Sequence, residues 1–445
     1  MTGRENTESA EGKEIKTLCF LCGSKHLEGG YFMKYEICIL KNIVVCVSVL
    51  VACLSYGEER VEDDVAIFTE FIEEAESLPV VEKQDFVNRE FEIIKKKLGF
   101  PVTNEYEAIF VYKGDGNKVE LMGDMTSWQV FPISLNKVEG TDLFYLKKHY
   151  EEDARLDYKF LIDDTTAILD PLNPKTCEGG FGANSELKMP GYPEHLEVNY
   201  YENIAHGEII KDVIECDAIK DGKKILAERR VAIYLPPNYD ETKKYKVLYF
   251  QDGSDYIKFG KTKNVLDYMI DKREIEPIIA VFVDPVDRDD DYVLDKKDVY
   301  VDFFVNKLVP WVEENYSVRD DAEGRALIGP SYGGVIVTYI VYKYPEKFGY
   351  ILSHSGAFLC AYDKHFGETY GKKISNAPYP VKIFMVVGTY ELDLISPNMW
   401  FYYNLMKNLS VKAVEFRKYP QGHSWGLWRD TLREGLRWLL KEDTK

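Results

Sequence analysis

A serine lies at the centre of residues 329–334, which read Gly-Pro-Ser-Tyr-Gly-Gly. Residues 325–328 predict a strand before this segment, and residues 335–344 predict a helix after it. So tight a turn between a strand and a helix tolerates only small residues beside the serine, and it would lift the serine hydroxyl out of the sheet. We therefore predict that Ser331 is a nucleophile.

A serine hydroxyl needs a base to take its proton, and the chain offers few candidates. It has 7 histidines, most of which precede Ser331 or lie close to it, as His354 does. His423 follows the last predicted strand, and Gly422 before it marks a loop. Sites built on such a turn take their residues in the order serine, acid, histidine. His423 is therefore the predicted general base.

The acid that orients this imidazole is expected in the loop after the strand predicted for residues 381–387. Glu391 and Asp393 both lie in that loop. Local sequence leaves both open as the acid, and the other one would be a surface or helix-capping carboxylate.

Backbone amides must stabilise the negative oxygen that forms when a serine attacks a carbonyl carbon. The amide of Tyr332 directly follows the nucleophile and is the first candidate. The second donor is expected after the strand predicted for residues 246–250, where Gly253 and Ser254 are the candidates. An ordinary turn is the alternative interpretation of these two residues.

The composition is that of a globular protein with more than one domain. The chain has 445 residues, of which 45% are hydrophobic and 29% are charged, and its formal net charge is -19. This charge argues against nucleic acid as a partner. Five of the 8 cysteines lie in or before an apolar stretch near residue 50, so no disulfide framework is indicated.

The apolar run at residues 43–54 reads as a targeting segment, and Lys34 and Lys41 precede it. It is too short to span a bilayer and fits the apolar core of a secretory signal. Residues 50–53 resemble a lipoprotein cleavage box in which Cys53 is lipidated. We therefore expect an exported protein, periplasmic or at the cell surface, attached to the membrane through Cys53. A plain signal peptide or an anchoring helix is the alternative.

Three patterns follow one another along the rest of the chain. Apolar residues at helical spacing between residues 65 and 98 predict two helices. Short strand-like runs separated by turn residues predict a small β-sandwich over residues 106–162. From residue 229 onward, apolar strands alternate with helical stretches, which predicts a mostly parallel sheet covered on both faces.

Several of these segments together resemble the "Putative esterase" family, which includes enterochelin esterases, feruloyl esterases and esterase D-like hydrolases. Residues 231–239 are similar to the family's opening strand and its Pro-Pro-x-Tyr turn. Residues 252–253 match its Asp-Gly, residues 388–391 its Gly-x-x-acid, and residues 422–423 its Gly-His.

The resemblance implies an α/β-hydrolase fold and favours Glu391 over Asp393 as the acid. It places Asp252, Trp425 and Trp428 in the expected substrate pocket. No metal and no organic cofactor is expected.

The preceding part resembles the early-set, immunoglobulin-like sandwich that accompanies this hydrolase, through residues 119–128, 170–174 and 179–185. Trp128 in it either binds sugar or packs on the hydrolase as a core residue. The predicted domains are an upstream extension with a signal peptide (1–53), a tether with short helices (54–100), the early-set sandwich (101–205) and the α/β-hydrolase (206–445).

The sequence therefore predicts a serine esterase that forms an acyl-enzyme. The leading substrate class is a feruloyl or acetyl ester of a carbohydrate. A siderophore trilactone of the enterochelin type is the first alternative. Acyl transfer to a sugar hydroxyl, or a non-catalytic glycan-binding lipoprotein, are the others.

Overall fold

The computed structural model describes residues 63–359 and 372–441. The chain divides into two units, Met1–Glu62 and Asp63–Lys445, and all described residues belong to the second. The predicted signal segment and the lipidation site at Cys53 lie outside the described residues.

Two helices open the described part, α1 (Asp64–Ser77) and α2 (Val80–Lys97). Their apolar residues recur on one face, as the 3.6-residue period requires, and Phe68 and Phe91 are fully buried. These faces pack against one sheet of the β-sandwich in a shared cluster. The structure contains both helices that the sequence predicts, and their apolar faces belong to the packed fold.

Two antiparallel sheets form the sandwich. The first contains β1 (Val102–Thr103), β2 (Glu107–Lys113), β5 (Asn136–Lys137) and β6 (Leu143–His149). The second contains β3 (Val119–Gly123), β4 (Ile133–Ser134), β7 (Arg155–Ile162), β8 (Thr166–Ile168), β9 (Thr176–Gly179) and β10 (Gly182–Lys188). Apolar side chains from both sheets meet in one cluster between them.

Strand β7 shows how the second sheet divides its two faces. Leu156, Tyr158 and Phe160 point into the cluster between the sheets. Arg155 and Asp157 alternate with them and lie on the outer face, where both are buried. A buried polar face requires partners, and the α/β part of the chain supplies several of them.

The central sheet has eight strands in the order β11, β12, β14, β13, β15, β16, β17, β18. They are β11 (Glu208–Lys220), β12 (Lys223–Leu235), β13 (Val247–Gln251), β14 (Ile279–Val283), β15 (Arg325–Pro330), β16 (Tyr350–His354), β17 (Lys382–Gly388) and β18 (Ala413–Tyr419). The first two strands form an antiparallel hairpin and β12 pairs antiparallel with β14, while every other pair is parallel. The predicted, mostly parallel sheet is confirmed.

Helices cover both faces of this sheet. One face carries α5 (Arg288–Tyr292), α6 (Asp298–Phe303), a π-helical turn (Phe304–Leu308), α7 (Val309–Asn315), α8 (Tyr332–Lys343) and α9 (Leu392–Lys407). The other carries α3 (Gly253–Lys258), α4 (Thr262–Asp271), α10 (Trp425–Asp430) and α11 (Leu432–Leu440). Within the described residues, none of the helices has the length and apolarity needed to cross a bilayer.

Candidate active site

Ser331 lies in the turn between β15 and α8, where the sequence predicted it. Its backbone adopts φ 56° and ψ -117°, a conformation that costs energy for a residue with a side chain. Its amide donates to the carbonyl oxygen of His354 at 2.8 Å, and its carbonyl oxygen accepts from the Ala357 amide at 3.1 Å. These bonds to the neighbouring strand end hold the strained turn in place.

The glycines around Ser331 are required by close packing. A Cβ atom at Gly329 would lie 2.2 Å from the carbonyl oxygen of Gly333, and one at Gly333 would lie 2.7 Å from Cδ of Pro330. A Cβ atom at Gly334 would lie 2.7 Å from Oγ of Ser353. All three distances are too short for any larger residue, so the pattern of glycines around the serine is explained by this turn.

Glu391 and His423 form a hydrogen-bonded pair beside this turn. Oε2 of Glu391 lies 3.0 Å from Nδ1 of His423. The Glu391 side chain is buried, whereas that of His423 is 38% exposed and lines the same cleft as Ser331. Asp393 lies exposed in the first turn of α9. The geometry thus pairs the histidine with Glu391 and not with Asp393.

Ser355 holds the other oxygen of this carboxylate and was missed in the sequence. Its hydroxyl donates to Oε1 of Glu391 at 2.6 Å, and the amide of Gly388 donates to the same oxygen at 3.0 Å. Nε1 of Trp428 donates to Oγ of Ser355 at 3.0 Å. This chain of bonds orients the carboxylate toward His423. The only sequence signal was the position of Ser355 directly after β16.

His354 is not a competing base. Its ring is fully buried, and burial lowers its pKa to about 3. Its Nδ1 lies 2.8 Å from the hydroxyl of Tyr256. The imidazole is therefore neutral and held in the core.

A cleft of about 590 Å³ opens over Ser331 between the α/β part and the sandwich. The α/β wall consists of Asp252, Asp255, Arg288, Pro330, Ser331, His423, Ser424, Trp425 and Trp428. The opposite wall comes from the second sheet of the sandwich and consists of Met122, Trp128, Asp157, Lys159, Ala167, Glu178, Gly179, Gly180, Phe181, Gly182 and Asn184. Trp425 and Trp428 therefore lie where the sequence placed the substrate pocket.

Asp252 lies in the cleft wall, where the sequence predicted it. Arg288 holds its carboxylate in a fork, with Nε at 3.0 Å and Nη2 at 2.9 Å. The same Nη2 donates to the carbonyl oxygen of Pro330 at 3.1 Å. Arg288, which sequence reasoning missed, thus links Asp252 to the nucleophile turn.

The predicted oxyanion donors are the backbone amides of Gly253, Ser254 and Tyr332. The amide of Ser254 donates to Oδ1 of Asp284 at 2.7 Å, which argues against Ser254 as a donor to substrate. Gly253 packs on β14, where a Cβ atom would lie 2.5 Å from the backbone of Phe282. Neither Gly253 nor Ser254 lines the cleft. Gly253 and Tyr332 remain predictions as oxyanion donors.

Two aromatic residues of the sandwich wall were not recognised as part of the site. Trp128 was left between sugar binding and core packing, and the structure places it in the cleft, with Nε1 3.1 Å from Oδ1 of Asp124. Phe181 lies at the tip between β9 and β10 and is fully exposed to solvent. Only the fold brings these rings opposite Ser331, so no local pattern could have indicated them.

Comparison with known proteins shows the family of this chain. The family model described as "Putative esterase" matches residues 222–439. Uncharacterized protein YjcH of Bacillus subtilis (strain 168) is 30% identical over 233 residues, which are 49% of this chain and 94% of that protein. The chain belongs to the "Putative esterase" family. This esterase is therefore a carboxylic ester hydrolase, as the sequence predicted.

Two further comparisons extend over the sandwich. The iron(III) enterobactin esterase of Escherichia coli O6:H1 is 25% identical over 346 residues, 68% of this chain and 81% of that protein. The crystal structure of ferric enterobactin esterase from Salmonella typhimurium is 20% identical, with a TM-score of 0.61 over 75% of this chain and 93% of that chain. The likeness confirms an α/β-hydrolase-like fold. The early-set identity of the sandwich remains a prediction.

Asp124 of the sandwich lies directly against the histidine end of the esterase's site. Its Oδ2 accepts from the amide of Asp157 at 2.8 Å. A Cβ atom at Gly422 would lie 1.9 Å from Cγ of Asp124, so only glycine fits before His423. Burial is the main cause that raises the pKa of Asp124 to about 8, and the negative charge of Asp157 is the second cause.

This raised pKa predicts a pH dependence of stability. The unfolded chain releases the Asp124 proton near its ordinary pKa of 3.8, whereas the folded esterase keeps it up to about pH 8. The folded state therefore binds more protons in this window, and the contribution of Asp124 to the free energy of unfolding falls as the pH rises through it. Asp124→Asn cannot titrate, so its slope should be shallower.

Urea unfolding of the wild type and Asp124→Asn between about pH 5 and about pH 8 measures this difference. The variant also loses one hydrogen-bond acceptor, which lowers its stability equally at every pH. We expect the difference in the free energy of unfolding between wild type and variant to become smaller toward pH 8. A difference that stays constant would show that Asp124 does not titrate in this window.

Proposed function

We propose that this protein hydrolyses its ester through an acyl-enzyme on Ser331. The observation that carries the proposal is the Glu391–His423 bond of 3.0 Å beside the strained turn that presents Ser331 in the same cleft. Such an arrangement of acid, imidazole and hydroxyl activates a serine without help from a metal.

The geometry assigns a role to each group. Glu391 accepts from Nδ1–H of His423, which leaves Nε2 free to take the proton of the Ser331 hydroxyl as the oxygen attacks the ester carbon. The imidazolium then returns the proton to the leaving alcohol. A water molecule, activated by the same nitrogen, releases the acid from Ser331. The Tyr332 amide, at the start of α8, is the proposed oxyanion donor.

A fluorophosphonate probe and steady-state kinetics test these roles. We expect the probe to label the wild type and not Ser331→Ala. We expect Glu391→Gln to lower kcat by about 10³- to 10⁴-fold, because the imidazole loses its tautomer and orientation. Asp393→Asn is the matched control and should retain wild-type kcat. Equal labelling of wild type and Ser331→Ala, or a larger loss in Asp393→Asn, would contradict the assignment.

The charge balance of the cleft favours a neutral carbohydrate ester as substrate, with a feruloyl or acetyl group. Its lining contains four carboxylates and two cations, Lys159 and Arg288. Arg288 pairs with Asp252, and Asp157 pairs with the buried Arg155, which leaves the carboxylates of Glu178 and Asp255 against the single cation of Lys159 in this lining. An anionic iron complex would meet excess negative charge here, whereas aromatic rings on both walls suit an aryl group.

A siderophore trilactone is the second candidate, because the Escherichia coli relative that matches 68% of this chain is an iron(III) enterobactin esterase. Hydrolysis rates on methyl ferulate, acetylated xylan and enterobactin separate the two candidates. Product analysis with a sugar acceptor would reveal acyl transfer instead. Failure to hydrolyse any ester would favour a glycan-binding protein.

Phe181 offers a direct test of the sandwich wall in substrate binding. Its ring is fully exposed, so Phe181→Ala should leave the fold intact. We expect the KM for methyl ferulate to rise by about 3- to 10-fold and the KM for vinyl acetate to stay unchanged. Tyr403→Ala, an exposed aromatic residue on α9 outside the cleft, is the control. Equal KM values for Phe181→Ala and wild type would remove the sandwich wall from substrate recognition.

We also propose that the protein is exported and anchored through a lipid on Cys53. The support is the apolar run at residues 43–54 and the Leu-Val-Ala-Cys segment that ends at Cys53. Metabolic labelling with palmitate should mark the wild type and not Cys53→Ser. Labelling of neither protein, with both in the soluble fraction, would contradict the anchor.

A further inference from the structure

Arg155 joins the sandwich to the loop that carries His423. The side chain is completely buried, on the outer face of β7. Its Nε donates to Oε1 of Glu186 at 2.6 Å, and its Nη2 to Oδ1 of Asp157 at 2.7 Å. Its Nη1 donates across the domain boundary to Oγ of Ser424 at 3.0 Å. The two carboxylates neutralise the buried guanidinium, and the third bond ends one residue after His423.

The backbone of Arg155 reaches the same loop, residues 420–424, which we call the histidine loop. The amide of Arg155 donates to the carbonyl oxygen of Pro420 at 3.0 Å, and Arg155 forms a parallel bridge with Gln421. At the far end, a Cβ atom on Gly426 would lie 2.0 Å from Cζ of Arg155. The guanidinium therefore packs flat against the first turn of α10.

The opposite side of the histidine loop rests on the loop that carries Glu391. The amide of Tyr390 donates to the carbonyl oxygen of Gln421 at 3.1 Å. A Cβ atom at Gly388 would lie 2.1 Å from that same oxygen. The histidine loop thus packs between the loop that carries Glu391 on one side and Arg155 and Asp124 of the sandwich on the other.

We propose that Arg155 is a positioning residue for the reaction, which holds the histidine loop so that the imidazole of His423 stays in register with Glu391 and Ser331. The inference rests on the proposed function and extends it. It assigns to the sandwich a part in catalysis that is separate from substrate contact. Arg155 touches no substrate, because its side chain is completely buried and lies outside the cleft lining.

A positioning role has a kinetic signature that a merely structural role lacks. Arg155 itself lies outside the cleft lining, so its replacement should change KM much less than kcat. Misplacement of a reacting group by about 1 Å costs about 10²-fold in rate. We therefore expect Arg155→Met to lower kcat by about 10²-fold, measured on folded protein well below its unfolding temperature.

Removal of Arg155 leaves Asp157 and Glu186 buried without a cation, which can unfold the sandwich. Ser424→Ala is the second variant, since it keeps the two carboxylates paired with Arg155 and removes the bond across the boundary together with one hydroxyl at the cleft wall. We expect it to lower kcat by about 10-fold with unchanged KM. Tyr158→Phe is the matched control: it lies on the same strand but on the inner face, where its hydroxyl donates to Asp170 at 2.6 Å. It should lower the unfolding temperature and leave kcat per folded molecule unchanged.

A readout independent of turnover separates this inference from the proposed function. The proton on Nδ1 of His423, bonded to Glu391, gives a downfield proton resonance. We expect it to broaden in Ser424→Ala and to remain in Tyr158→Phe. If Ser424→Ala keeps both the wild-type resonance and the wild-type kcat, the positioning role is overturned. If the wild type itself hydrolyses no ester, the proposed function fails. The resonance still shows whether the bond between Arg155 and Ser424 fixes the imidazole of His423.

Discussion

The parallel arrangement of the central strands decides where every group of the site lies. The carboxyl ends of parallel strands meet at one edge of a sheet, so the loops that follow them converge there. Ser331 follows β15, Ser355 follows β16, Glu391 follows β17 and His423 follows β18. The loops after four neighbouring strands thus carry, in the order of the strands in the sheet, the nucleophile, the serine that holds the carboxylate, the acid and the base. The strained turn at Ser331 persists because its backbone bonds reach the adjacent strand end.

The sandwich supplies the parts of the site that this edge of the central sheet does not provide. Its second sheet turns a polar face toward the α/β part, and that face supplies one wall of the cleft as well as the buried cluster around Arg155. Burying a guanidinium with two carboxylates brings little net stability compared with apolar packing. The main effect of this buried ion cluster is geometric, because the planar guanidinium fixes the direction as well as the distance of each of its partners.

The parts of the site that could be predicted from the sequence are those that depend on local pattern and chain order. Ser331 lies in a turn whose three glycines fall within six residues of sequence, and His423 follows from the order of the elements. The choice of Glu391 over Asp393 rested on family resemblance, and the structure shows its physical basis in burial and in the bond to His423.

The parts of the site that could not be predicted from the sequence depend on contacts between segments that are distant in the chain. Arg288, Trp128 and Phe181 reach the cleft only when separate elements pack together, and no spacing in the sequence indicates it. Asp252 lines the cleft as predicted, but its carboxylate is held by Arg288, and the amide of Ser254, predicted as an oxyanion donor, already donates to Asp284. Sequence pattern shows that a carboxylate or an amide is present, but not which distant group engages it.

The most direct test of this account is a rapid-quench measurement with p-nitrophenyl acetate, followed by peptide mapping of the acid-stopped protein. The account predicts a burst of p-nitrophenol, a mass increase equal to one acetyl group on the peptide that contains Ser331, and loss of both in Ser331→Ala. An acetyl group found on a different residue would contradict the account.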